Sequence, residues 1–289
     1  MGPLLVVILV LPAAVGVLAW WAPPRVGAVA TVGAGAATFA CALALVPAAG
    51  SGVVTALDGQ LRADALSVVF LVATAFLYAT TAVFAVGYLR HPAPSRYRRR
   101  FWAGFNLFCW AMAVAPIVAN LVLLWVAIEI TTVVSALLVA IDDTDGAAEA
   151  SWKYLLIASM GLGVALFATV VLYAAGTVPL GPGHAMVLPT LLGAAHRLPP
   201  TMVRLAYVLA VLGFGTKMGL APVHTWLPDA HAEAPTPVSA LLSGSLLAIS
   251  FYAILRYYQV TAAVLGPTFP REVLLGFGLA SLALAALYL

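Results

Sequence analysis

Apolar runs of about twenty residues follow one another through almost the whole chain, separated by short connections, and nothing else limits its folding so strongly. Inside a hydrocarbon slab every backbone N–H and C=O must find its partner within the protein, so runs of this length are read as membrane-spanning helices. The expected fold is all-α, a polytopic transmembrane helical protein of about nine spans. They are placed at 1–21, 26–46, 63–89, 101–118, 120–141, 152–175, 201–229, 237–258 and 273–289, the seventh of them broken. The first run lacks a basic leading segment and is followed by many others, so it is a span and not a signal peptide. Composition agrees: 64% of residues are hydrophobic and 8% charged, against about a quarter charged in a soluble domain.

Within this background the charged residues carry the information. Lys217 lies in an apolar run, eleven residues from Ala206. At about 1.5 Å per residue that is roughly 16 Å, about half of a slab roughly 30 Å thick. An intramembrane lysine costs roughly 2.5 to 3.5 kcal/mol on insertion scales, which demands a polar partner or a water-filled cavity; the alternative is snorkelling from an ordinary helix end. Gly213, Gly215, Gly219 and Pro222 flank it, and proline removes a donor and clashes with the preceding turn. The helix is therefore expected to break near Lys217. Glu129 sits in the fifth run, beside a strip of Thr131, Thr132 and Ser135. A carboxylate there either takes up a proton or seeks a cation, whereas the hydroxyls can be satisfied by carbonyls one turn back.

Other polar residues have two readings each. His224, seven residues beyond Lys217 and about two helical turns further on, is a proton relay or a packing histidine. Lys153 is an interface anchor beside Trp152 or part of an intramembrane polar chain. Asp229, His231 and Glu233 either cap the loop after the break or stand at the mouth of a proton path. Asp64 reads as a helix cap. Cys41 and Cys109 are small buried hydrophobes, and His184 and His196 show no metal-ligand geometry, so neither metal nor cofactor ligation is expected. No basic face with interleaved aromatics points to nucleic acid. The arginine cluster at 90–100 (Arg90, Arg96, Arg98, Arg99, Arg100) is expected on the cytoplasmic side of a cell membrane, with the N-terminus outside.

The stretch VLGFGTKMGLAPVHTWLPDAHAEAPTPVSALLSGSLLAISFYAILRY (211–257) resembles the central signature of the proton-translocating antiporter-like membrane subunits of respiratory complex I, hydrogenase-4-type hydrogenases and multisubunit sodium/proton antiporters. NLVLLWVAIEITTVVSALLVA (120–140) and EASWKYLLIASMGLGVALFATVVLY (149–173) resemble the same family in the same order, in wording closest to hydrogenase-4 component F. The resemblance implies N-terminal helices over 1–100, a five-helix repeat over 101–258 and the start of a second repeat over 259–289, most of which is absent, as in a truncated chain. It implies that Glu129 pairs with Lys217, and that a further family lysine falls at Ala248. At 4 Å and an effective dielectric near 20 such a pair is worth about 4 kcal/mol, roughly three pK units, enough to gate a proton. Three functions follow: a proton-translocating subunit of a redox-driven complex working with other membrane subunits, a sodium/proton antiporter subunit, or a non-pumping structural subunit.

Overall fold

The computed structural model describes residues 1–89 and 94–288, with the backbone only at 288, so Arg90 and Leu289 lie outside the described residues. Twelve α-helices are formed among them: α1 (Gly2–Trp21), α2 (Pro24–Ser51), α3 (Ala65–Tyr88), α4 (Ser95–Val114), α5 (Leu121–Val139), α6 (Asp145–Leu180), α7 (Leu188–Gly193), α8 (Pro200–Met218), α9 (Leu227–Glu233), α10 (Thr236–Leu241), α11 (Leu247–Leu265) and α12 (Thr268–Tyr288). A turn of π-helix, Leu242–Leu246, joins α10 to α11 into one rod. Eight helical stretches are long and apolar enough to cross a membrane. The expected fourth span, α4, is a helix of comparable length, set apart by Arg96, Arg98, Arg99 and Arg100 near its start. The protein is a multi-pass helical membrane protein.

Several connections are more ordered than the sequence suggests. The expected polar linker over 47–62 continues α2 through Pro47 to Ser51 and then makes a short antiparallel hairpin, β1 (Val54–Ala56) with β2 (Leu61–Ala63). Its turn uses Leu57, Asp58 and Gly59 at positive φ, and the amide of Arg62 bonds Ile117 O at 2.7 Å, which ties the hairpin to the end of α4. Helix α6 runs 36 residues, about 54 Å at 1.5 Å per residue, so it starts before Trp152 and extends beyond the expected end of the sixth span at 175. Thr144 caps it by accepting from Ala147 N at 3.1 Å, satisfying one of the donors a helix start leaves without a partner.

Large apolar side chains such as Met160, Phe167 and Leu137 point outward, as a lipid solvent permits. Inside, the contacts are set by small residues. A Cβ on Gly213 of α8 would lie 2.7 Å from Gly161 O, and one on Gly161 of α6 would lie 2.5 Å from Thr216 Cβ. Backbones that approach this closely gain dispersion contacts that lipid tails cannot replace, and side-chain positions near the crossing are held in narrow limits.

Candidate functional site

Helix α8 carries Lys217 into its last turn, and the ammonium-bearing side chain is fully buried. The helix stops at Gly219, whose φ of +85° is a left-handed cap that a side chain disfavours. Leu220 N returns to Gly215 O at 2.8 Å. The expected break is thus present and close to Lys217. Past it the chain is loop until Leu227, so His224 is not two helical turns further along the same helix as the spacing suggested. It is half-buried in the loop, where its carbonyl accepts from Leu227 N at 3.0 Å.

The loop also brings Trp226 back beneath the helix end. Its indole Nε1 donates to Thr216 O at 2.9 Å, satisfying a carbonyl near the break. Its ring packs on Tyr154 of α6 with centroids 4.7 Å apart. Lys217 Nζ sits 4.4 Å from the Tyr154 ring centroid and 5.8 Å from that of Trp226, so two π faces lie against the cation. The ammonium donates to the Tyr154 hydroxyl. That hydroxyl shares a 2.6 Å hydrogen bond with Ser135 Oγ on α5.

Glu129 occupies the middle of α5, a helix opened by the Asn120 side chain accepting from Val122 N at 2.8 Å. Its Oε1 accepts from Ser159 Oγ on α6 at 3.0 Å, and its Oε2 is buried with no hydrogen-bond partner among the described residues. Ion pairs within 4 Å among the described residues are Lys153 with Glu149 and Asp229, and Arg256 with Asp64; Glu129 and Lys217 do not make one. Both charged groups are held by α6, Lys217 through Tyr154 and Glu129 through Ser159. Thr131 and Ser135 donate to carbonyls one turn back, Ile128 O and Thr131 O, each at 2.5 Å.

The remaining candidates lie toward one end of this arrangement. Lys153 is half-exposed and bridges Glu149 at 2.7 Å and Asp229 at 3.1 Å, which ties α6 to α9. His231 Nδ1 meets Ser239 Oγ at 2.8 Å and so fastens α9 to α10; burial lowers its proton affinity below that of an ordinary histidine. Two features escaped the sequence reading. Tyr154 was not singled out, and its contact with Lys217 spans 63 positions. Arg256 in α11 is 4% exposed and clasps Asp64 with both Nη atoms at 2.8 Å. Asp64 does cap α3, accepting from Ser67 N at 2.9 Å, but its main partner is this guanidinium. The rule that singled out Lys217, a cation inside an apolar run, applies equally to Arg256 and would have found it.

The family described as NADH:quinone oxidoreductase/Mrp antiporter, transmembrane, matches residues 118–288. A hydrogenase-4 component F homolog of Methylacidiphilum infernorum is 38% identical over 232 residues, 78% of this chain and 48% of the relative. NADH-quinone oxidoreductase subunit N of Desulfovibrio desulfuricans is 30% identical over 209 residues, 71% of this chain and 41% of the relative. The chain therefore spans about half the length, or less, of these relatives. Among solved structures, a chain of the membrane-bound sulfane sulfur reductase, an archaeal respiratory membrane complex, superposes with a TM-score of 0.77 at 21% identity, covering 95% of this chain and 56% of the other. A chain of respiratory complex I from Thermus thermophilus superposes with a TM-score of 0.70 at 24% identity, covering 88% and 52%. At these identities the two structures speak to the fold.

Proposed function

The chain belongs to the NADH:quinone oxidoreductase/Mrp antiporter transmembrane family, and we propose that it serves as a proton-translocating membrane subunit of a redox-driven complex of the hydrogenase-4 or NADH-quinone oxidoreductase type. In this reading Lys217 holds and releases the proton, Glu129 supplies the charge that biases it, and His224 passes protons between Lys217 and the surface. Lys153, Asp229 and His231 lie at the mouth. Other membrane subunits of such a complex are its partners, the lipid bilayer of the cell membrane its solvent, and the arginine-bearing start of α4 its cytoplasmic side.

The observation that carries the reading is a lysine fully buried at a helix break, held by a tyrosine hydroxyl and two aromatic faces with no carboxylate in ion-pair contact among the described residues. A structural cation in lipid would be expected to pair as closely as Arg256 does with Asp64. A cation left on a hydroxyl and two aromatic faces can exchange its proton at far smaller cost. The test is proton flux in the assembled complex, reconstituted in liposomes with an internal pH dye. Lys217→Met and Glu129→Gln should each lower flux sharply, and together no more than the worse of the two. Losses that multiply, or Lys217→Met with full flux, overturn the proposal. The antiporter reading draws on the same family description; it predicts that flux depends on sodium and persists without a redox donor.

A further inference from the structure

Helices α1, α4 and α5 meet at the arginine-bearing end of the bundle without filling the space between them. They leave a groove of about 640 Å³, within the roughly 300 to 1,000 Å³ of ordinary ligand sites. Its back is built where small residues let the helices close up. A Cβ on Gly16 of α1 would stand 3.4 Å from Ala103 O of α4, and one on Gly104 of α4 would stand 2.9 Å from Leu138 Cδ2 of α5. Its sides are apolar residues turned outward, Val17 at 65% and Leu137 at 69% exposure.

The groove enters one leaflet and stops there. From Trp21 to Ala13 along α1 is eight residues, about 12 Å at 1.5 Å per residue, against roughly 15 Å for half of a slab roughly 30 Å thick. About one turn deeper, Trp110 of α4 crosses to α1 and closes the seam, its Nε1 donating to Leu9 O at 2.7 Å. A neighbouring protein's spanning helix needs a seam along the whole thickness of the membrane. An acyl chain needs only one leaflet.

The mouth carries polar chemistry of both signs. Trp20 and Trp21 stand there, the residue type that settles at headgroup level. Arg100 and Asp143 are the charged residues of the lining, and both are exposed. Neither takes part in the ion pairs found within 4 Å among the described residues, so they do not neutralise one another. The adjacent Asp142 is already engaged by the Tyr97 hydroxyl at 2.8 Å.

We propose that the groove holds one phospholipid of the phosphoethanolamine class, with an acyl chain between α1, α4 and α5, its phosphate on Arg100 and its primary ammonium on Asp143. An arginine alone would suit any phosphate; an arginine and an aspartate at one mouth suit a phosphate that carries an ammonium. Arg25, Arg96 and Arg99 at the same end attract acidic headgroups from a distance. Asp143 turns the mouth toward the zwitterion, because it repels a second negative charge and accepts from an N–H that a trimethylated headgroup lacks. The bound chain joins α1 to α5, the helix of Glu129, across the face of α4. The site stands apart from the buried lysine and does not depend on the proton-translocation reading.

Native mass spectrometry of the full chain, equilibrated in detergent with dioleoyl phosphatidylethanolamine, phosphatidylglycerol or phosphatidylcholine, tests the proposal. One ethanolamine lipid per chain should be retained about tenfold more tightly than either of the others, the weight of one charge-assisted hydrogen bond. Asp143→Asn should erase that preference, and Arg100→Gln should loosen all three lipids by about tenfold. Both positions are exposed, so neither change endangers folding. Ala13→Phe, which fills the deep end of the groove, should release the lipid whatever its headgroup. Lipid retention that ignores Ala13→Phe, or no retention at all, would mean ordinary solvation by the bilayer and overturns the proposal. A glycerol lipid held most tightly, with Asp143→Asn without effect, would assign the binding to the arginine cluster and overturns the ethanolamine class. Side chains of a neighbouring subunit occupying the groove, seen by cryo-electron microscopy of the assembled complex, refute it as well.

Discussion

Removing one end of the Asp64–Arg256 clasp should destabilise the protein more than removing both. Arg256 donates from Nη1 to Asp64 Oδ2 and Gln259 Oε1, from Nη2 to Asp64 Oδ1 and Ser67 Oγ, and from Nε to Tyr252 OH, all at 2.7 to 2.8 Å. Tyr252 in turn donates to Pro116 O at 2.9 Å, so the cluster joins α3, α11 and the turn after α4. Arg256→Met leaves the Asp64 carboxylate, whose side chain is 20% exposed, without its cation. Breaking a buried pair at one end costs about 3 to 5 kcal/mol; partial access to water puts this case near the lower figure, about 3 kcal/mol. Asp64→Asn keeps an acceptor for Ser67 N, so the cap survives while the buried guanidinium loses its counter-charge, again about 3 kcal/mol. The double variant has no unpaired charge and should cost only about 1 to 2 kcal/mol, against a sum of about 6 for the single changes. Reversible unfolding of the full chain in bicelles, titrated with sodium dodecyl sulfate, measures all three. A double variant as unstable as the sum of the singles would refute the argument, because it would mean the two side chains act through separate neighbours.

Three more expectations are open to direct measurement. Gly213→Leu must push α8 away from α6; it should cost on the order of 3 kcal/mol by overpacking and loss of interhelical contact, whereas Gly163→Leu, facing open space on the same helix as Gly161, should cost less than about 0.5 kcal/mol. Burial lowers the proton affinity of His231, so the unfolded chain binds a proton more readily than the folded one; stability is full above the ordinary histidine pKa near 6.5 and falls as pH drops below it, and His231→Gln should flatten that slope. A cysteine at the exposed position Ser95 should resist an impermeant thiol reagent in intact cells and react after permeabilisation; labelling of intact cells would reverse the proposed orientation.

Length and hydropathy alone determined that the chain is a bundle of membrane helices, because lipid allows a backbone few other ways to satisfy its hydrogen bonds. The same slab arithmetic singled out Lys217 as a charge that must be answered inside the protein, and the surrounding glycines and Pro222 marked where its helix would end. Both follow from local rules. Which group answers Lys217 is not local. Tyr154 reaches it because Gly161 and Gly213 let two helices touch, and because the chain past Gly219 turns Trp226 back under the helix end; the family resemblance and side-chain charge favoured Glu129, which the packing ties to Ser159. The hairpin at 54–63 and the continuation of α2 past Pro47 were likewise hidden, since three-residue strands carry almost no pattern of their own and are held by their bond to Ile117 O. Arg256 and Asp64 lie 192 positions apart, and each has an ordinary reading by itself, one as a snorkelling cation and the other as a helix cap. Only the crossing of α3 and α11 removes both from water at the same point, and burial is what turns two unremarkable charges into a clasp.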